Sequence, residues 1–95
     1  MIRNVVLGRL KDGVELSAVE PGLAAIAALK PAGILDCKVG TDLRLRAESW
    51  DFAITSDFAD EPSYRAYDLD DEHNRVRSEQ IAPLCAQIAR VQFSC

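Results

Sequence analysis

Apolar and polar positions along this 95-residue chain change period several times, and each change marks an element. From Ile2 to Leu10 the apolar positions include an unbroken Val5-Val6-Leu7, as in a strand covered on both faces. Lys11-Asp12-Gly13 is turn chemistry. Leu16, Val19, Leu23, Ile26 and Ala27 then follow helical spacing, and Ser17 with Glu20 three residues later fits a capping box. Pro21 and Gly22 weaken the first turn of that helix, and Lys30-Pro31-Ala32-Gly33 ends it. A second strand is predicted from Ile34 to Gly40, followed by a polar connection from Thr41 to Ser49.

The clearest alternation runs from Trp50 to Phe58, with Trp50, Phe52, Ile54, Ser56 and Phe58 on one face. Ala59-Asp60-Glu61-Pro62 turns into a short helix carrying Tyr64 and Tyr67. After Asp70-Asp71-Glu72 a longer helix is expected from about His73, with Val76, Ile81, Leu84 and Cys85 inward and Pro83 marking a kink or a final turn. Ile88 to Ser94 reads as the last strand, with Ala89, Val91 and Phe93 on one side.

This order is β-α-β-β-α-β, an α+β chain of the split βαβ or ferredoxin-like kind, filling residues 1–95 as one domain. It predicts a four-stranded antiparallel sheet with helices on one face. The second face needs its own cover, and a second copy of the same sheet is the economical one, which gives a homodimer in the form of a dimeric α+β barrel. A chain this short folds with a modest margin and gains stability from such association.

Composition narrows the picture further. Eleven basic against fifteen acidic residues give a net charge of −4, which argues against nonspecific nucleic-acid binding. The amino-terminal segment lacks the apolar region of a signal peptide, and no stretch is long enough to cross a bilayer. Three cysteines, Cys37, Cys85 and Cys95, show neither C-x-x-C nor Cys/His metal spacing. They read as reduced thiols in a cytoplasmic protein, with Cys37 and Cys85 as buried small hydrophobes. No metal or other cofactor is expected. Asp68, Asp70, Asp71 and Glu72 form an acidic loop without the spacing or glycine of an EF-hand.

His73 is the sole imidazole and therefore the natural general base near neutral pH. A helix amino terminus favours its neutral form, whereas neighbouring Asp70, Asp71 and Glu72 favour the cation. Its structural alternative is to cap the helix or bond to the acidic loop. Tyr67 and Tyr64 either orient a ligand oxygen or sit with ring in the core and hydroxyl in water. Trp50, Phe52 and Phe58 form either an aromatic ligand wall or plain core and dimer interface.

The chain also resembles the stress-responsive A/B barrel domain (Dabb) family of dimeric α+β barrels. The resemblance rests on Met1 to Leu7 followed by a charged turn and Gly13, on Val39-Gly40-Thr41-Asp42-Leu43, and on Phe58, Tyr67, His73 and Ala82-Pro83-Leu84. It implies a ferredoxin-like protomer, a homodimer formed through the sheet faces, and usually no cofactor. Family members include stress-linked plant proteins and a plant polyketide cyclase with a histidine pair and a tyrosine in its pocket. Tyr67 and His73 fall on positions similar to that tyrosine and to the later histidine. Asn4 stands where the first-strand histidine would be, and an amide hydrogen-bonds but relays no proton.

The expectation is a cytoplasmic homodimer binding a small apolar or aromatic molecule between sheet and helices, with Asn4, Trp50, Phe52, Phe58 and Tyr64 lining the pocket. The alternative is a cofactor-free cyclase, isomerase or monooxygenase-like enzyme on a polyketide or aromatic substrate, with His73 as base and Tyr67 and Asn4 positioning its oxygens. A second alternative is a structural stress protein acting by self-association. No membrane or nucleic-acid partner is expected.

Overall fold

A computed structural model describes residues 1–95. Strands β1 (Ile2–Leu10), β2 (Ile34–Thr41), β3 (Phe52–Phe58) and β4 (Cys85–Ser94) form one sheet in the order β2-β3-β1-β4. Every neighbouring pair is antiparallel. The helices α1 (Glu20–Ala28), α2 (Glu61–Asp68) and α3 (Asp71–Val76) complete a ferredoxin-like fold.

Alternation along the strands separates two faces. On the inner face Asn4, Leu10, Phe52, Ile54, Ser56 and Phe58 are buried. Leu10, Phe52 and Ile54 join Val19, Leu23 and Ile26 from the α1 region and Val76 and Ile81 from the segment after β3 in one apolar cluster. Gly8 belongs to this face for a steric reason. A Cβ there would lie 2.0 Å from the Phe52 ring, so the missing side chain is the space that ring occupies.

Several boundaries differ from the sequence reading. Ser17 lies in a 3₁₀ turn (Leu16–Ala18) and does not cap α1; Val19 takes that position without a side-chain bond. Pro21 falls within the first two residues of α1, where its missing N–H costs nothing, so the helix starts at Glu20 despite Pro21-Gly22. β3 begins at Phe52, and Trp50 lies outside it. Asp51 is what interrupts the alternation: its carboxylate accepts from the Leu10 N–H at 2.7 Å and pairs with Arg44 at 2.8 Å, while its own N–H donates to the Gly8 carbonyl at 2.8 Å.

The expected longer helix is divided. α3 runs from Asp71 to Val76, a π-helical turn spans Arg77–Ile81, and a 3₁₀ turn holds Pro83 in Ala82–Leu84. β4 starts at Cys85, earlier than the Ile88 expected. The wide turn keeps both Val76 and Ile81 buried although they are five residues apart.

The outer face carries Val5, Leu7, Ala53, Thr55, Ala89, Val91 and Phe93, with β1 positions paired to β3 and β4 as Leu7↔Ala53, Leu7↔Ala89, Val5↔Val91 and Arg3↔Phe93. No helix of this chain covers it, and Leu7, Val91 and Phe93 remain 40%, 53% and 44% exposed.

Candidate functional site

A cavity opens between the inner face and the helices, beside the apolar cluster. β1 contributes Asn4 and Val6, β3 contributes Ile54, and β4 contributes Ile88 and Arg90. Above them sit Tyr64, Tyr67 and Asp68 of α2, His73 of α3, Arg77 and Ile81 of the π-helical turn, and Ile26 of α1. With its open mouth the depression encloses about 510 Å³, of which about 30 Å³ admits the centre of a water-sized sphere. That inner part has room for one or two waters.

Local chemistry sets the position of His73. Asp60 caps α2 by accepting from the Ser63 N–H at 2.9 Å, and Gly33, at φ +84°, leaves room beneath the Ser63 side chain. Asp70 caps α3 in the same way, accepting from the His73 N–H at 2.9 Å. The two caps fix where each helix starts, and the chain folds back so that the Tyr67 and His73 rings stack with centroids 3.9 Å apart and planes 29° apart. Phe58, fully buried beneath, meets Tyr67 at 5.0 Å and Tyr64 edge-on at 5.6 Å.

His73 belongs to the first turn of a helix that Asp70, not the imidazole, caps, and its ring lines the cavity. It is 8% exposed, and its Nδ1 has no hydrogen-bond partner. Burial, followed by the charge of Arg77, lowers its pKa below the ordinary histidine value, against the Tyr67 carbonyl, Asp68 and Asp70, which pull upward. Desolvation thus outweighs the acidic neighbours that pointed toward the cation. Burial likewise raises the Tyr67 phenol and keeps it protonated. Asn4 is buried, and its Oδ1 accepts from Gln92 Nε2 at 2.9 Å, so β1 and β4 are joined by their side chains at this point.

Asn4, Tyr64, Tyr67 and His73 are thus brought together as the sequence reading expected. Trp50 is not part of this group. It packs against Arg9, whose guanidinium carbon lies 4.7 Å from its ring centroid, and it lines a groove that also includes Leu7, Lys38 and Leu43. Phe52 fills the core over Gly8, and Phe58 supports the two tyrosines from below rather than lining the cavity. Arg77 and Arg90 were missed. The signal for Arg90 was legible, because it lies one strand period after Ile88, itself half-buried. The signal for Arg77 was legible too, because it lies one helical repeat (i, i+4) after His73.

Residues 2–95 match the stress responsive A/B barrel domain family, Dabb. The chain belongs to that family. Sequence comparison with curated proteins finds no match. Among solved structures, a dimeric ferredoxin-like protein of unknown function from Thermobifida fusca YX is 33% identical, with a TM-score of 0.86 over 99% of this chain and 90% of that one. A second dimeric ferredoxin-like protein of unknown function, from Bacteroides fragilis, is 22% identical, with a TM-score of 0.80 over 99% and 95%. The hydroxynitrile lyase of Passiflora edulis is 20% identical, with a TM-score of 0.80 over 97% and 90%, a likeness of fold. The Dabb fold therefore occurs in dimers and among enzymes, and no helix of this chain is long and apolar enough to cross a membrane.

Proposed function

We propose that this Dabb protein is a homodimer whose protomers each take a small apolar or aromatic molecule between sheet and helices. The observation that carries this reading is the cavity itself, where Val6, Ile26, Ile54 and Ile88 surround Asn4, Tyr67 and His73. Apolar walls with a few convergent polar groups are the usual composition of a small-molecule site. The inner space is narrow, so a ring enters by moving side chains at the mouth, where Asp68 and Arg90 are exposed and Tyr64 is half-buried. The exposed apolar outer face supports pairing with a second copy, in line with the dimeric relatives.

One observation favours a catalytic version of the same site. A neutral imidazole with an unpartnered nitrogen is able to accept a proton from an acidic C–H or phenol, with Tyr67 and Asn4 holding the substrate oxygens. In this version the protein is a cofactor-free cyclase or isomerase.

A ligand-dependent thermal shift and native mass spectrometry across apolar and aromatic compounds test the binding reading. Bound compounds are expected to move the amide resonances of Asn4, Tyr67 and His73. No binder, or binders that leave those resonances still, would overturn it. For the catalytic version, full turnover by His73→Ala on an identified substrate excludes the base.

A further inference from the structure

The mouth of the cavity holds two cations without carboxylate partners. Six ion pairs occur in the protein, and they occupy Arg3, Lys38, Arg44, Arg46 and Arg65. Arg77 and Arg90 take part in none of them, yet both line the cavity. They come from opposite sides, Arg77 from the first residue of the π-helical turn and Arg90 from β4, where it pairs in register with Val6.

Their effects converge on one point. The Tyr64 phenol, raised by burial and then by Asp68, is pulled back down by Arg90 and Arg77 together. Arg77 also opposes the upward shift of Tyr67 and lowers His73, so its charge reaches all three rings of the site. Asp68 is the one carboxylate in the lining. Two guanidiniums against one carboxylate leave a single excess positive charge, which suits a monoanion. A guanidinium fork pairs bidentately with the planar oxygens of a carboxylate, the smallest such monoanion an apolar ligand carries.

We infer that the ligand carries one carboxylate, held at the mouth by Arg77 and Arg90, with its apolar part directed toward Asn4, Tyr67 and His73. This rests on the cavity being the binding site, and it adds the substrate class: a small apolar or aromatic carboxylic acid. The arrangement also orients that acid, because the charged end stays at the rim while the opposite end meets the neutral imidazole.

The test uses the full chain, isotopically labelled, titrated separately with benzoate and with its neutral counterpart benzamide. Benzoate should bind about tenfold more tightly or better, the difference expected from one charge-assisted hydrogen bond. It should also move the resonances of Asn4, Tyr67 and His73. Arg90→Gln, an exposed strand position, should remove most of that preference, and Arg77→Gln should do the same, with Arg77→Lys restoring part of it. Should Arg77→Gln fail to fold, Arg90→Gln and the weakening of benzoate binding by salt carry the test. Equal binding of the two probes overturns the carboxylate inference and leaves the cavity reading standing. Binding of neither overturns both. Benzoate binding that leaves the cavity resonances unmoved shows two solvated surface arginines and also overturns the inference.

Discussion

On the inner face of the sheet Asn4, Phe52, Ile54, Ser56 and Phe58 are all buried, whereas on the outer face Leu7, Val91 and Phe93 stand 40–53% exposed. Both faces come from the same strands and alternate residue by residue, so composition alone does not separate them. The difference lies in what each face has available. The inner one has helices, a stacked Tyr67–His73 pair and a largely apolar cavity with a few polar groups at the margin of its core. The outer one has an apolar centre of Val5, Leu7, Ala53, Ala89, Val91 and Phe93, bordered by polar groups such as Thr55 and the Arg3–Asp57 pair, and no helix covers it. The proposed binding site lies on the first face, and the second is the face the proposed dimer would use.

Substitutions on each face separate these roles. Phe58→Ala should have the largest effect, because the ring is fully buried and holds both tyrosines from below. A loss of about 3–5 kcal/mol is expected in denaturant unfolding, together with loss of the cavity. A loss under about 1 kcal/mol would mean that the inner face is far more adaptable than its packing suggests. On the outer face Val91→Asp should leave the cavity resonances in place while weakening self-association by about 30-fold, the effect of removing an interface anchor worth about 2 kcal/mol. Sedimentation at several concentrations reads that change, and an unchanged association would place the interface elsewhere.

A smaller effect is expected from Asp70→Ala, which removes the cap of α3. It should cost about 1 kcal/mol and loosen the Tyr67–His73 stack, seen as altered aromatic proton shifts. Most modest is the pH dependence. The folded protein holds His73 below its ordinary pKa of about 6.5, so the unfolded chain binds more protons just below that pH. The stability contributed by neutral His73 is therefore complete above about pH 6.5 and declines as the pH falls toward the lowered folded value. Asp51, Asp57 and Asp60 are lowered too, so their contributions are lost only further down, as the pH falls below the ordinary carboxylate range. His73→Phe keeps a ring beside Tyr67 and should flatten the upper part of the stability curve. An equally steep curve in that variant would assign the dependence to another group.

The fold was legible because Phe52 to Phe58 alternates with period two, β1 holds an unbroken apolar run, and Val19, Leu23 and Ile26 recur at helical spacing around α1. The antiparallel sheet and its uncovered face followed from the element order. What failed was local. Trp50 continues the alternation of Phe52 and Ile54, but the backbone and carboxylate bonds of Asp51 take it out of register. Ser17 and Glu20 fit a capping box, yet the chain enters α1 through a 3₁₀ turn. The division after Val76 left only a faint trace, the five-residue spacing of Val76 and Ile81, which a regular α-helix would not hold on one face. At the site, His73 and Tyr67 were recognisable from residue type and position, and Asn4 through the family resemblance. Arg77 was legible as well, four residues after His73 and therefore on the same face of the predicted helix.

The assignment of the chemistry to the inner face rests most directly on His73, and the chain has no other histidine to confuse its signal. Imidazole nitrogen shifts followed across a pH titration of the full protein measure its protonation in place. A midpoint below about 6.5, moving when a ligand enters the cavity, is the predicted result. A midpoint at or above that value, insensitive to every compound that binds, would contradict it.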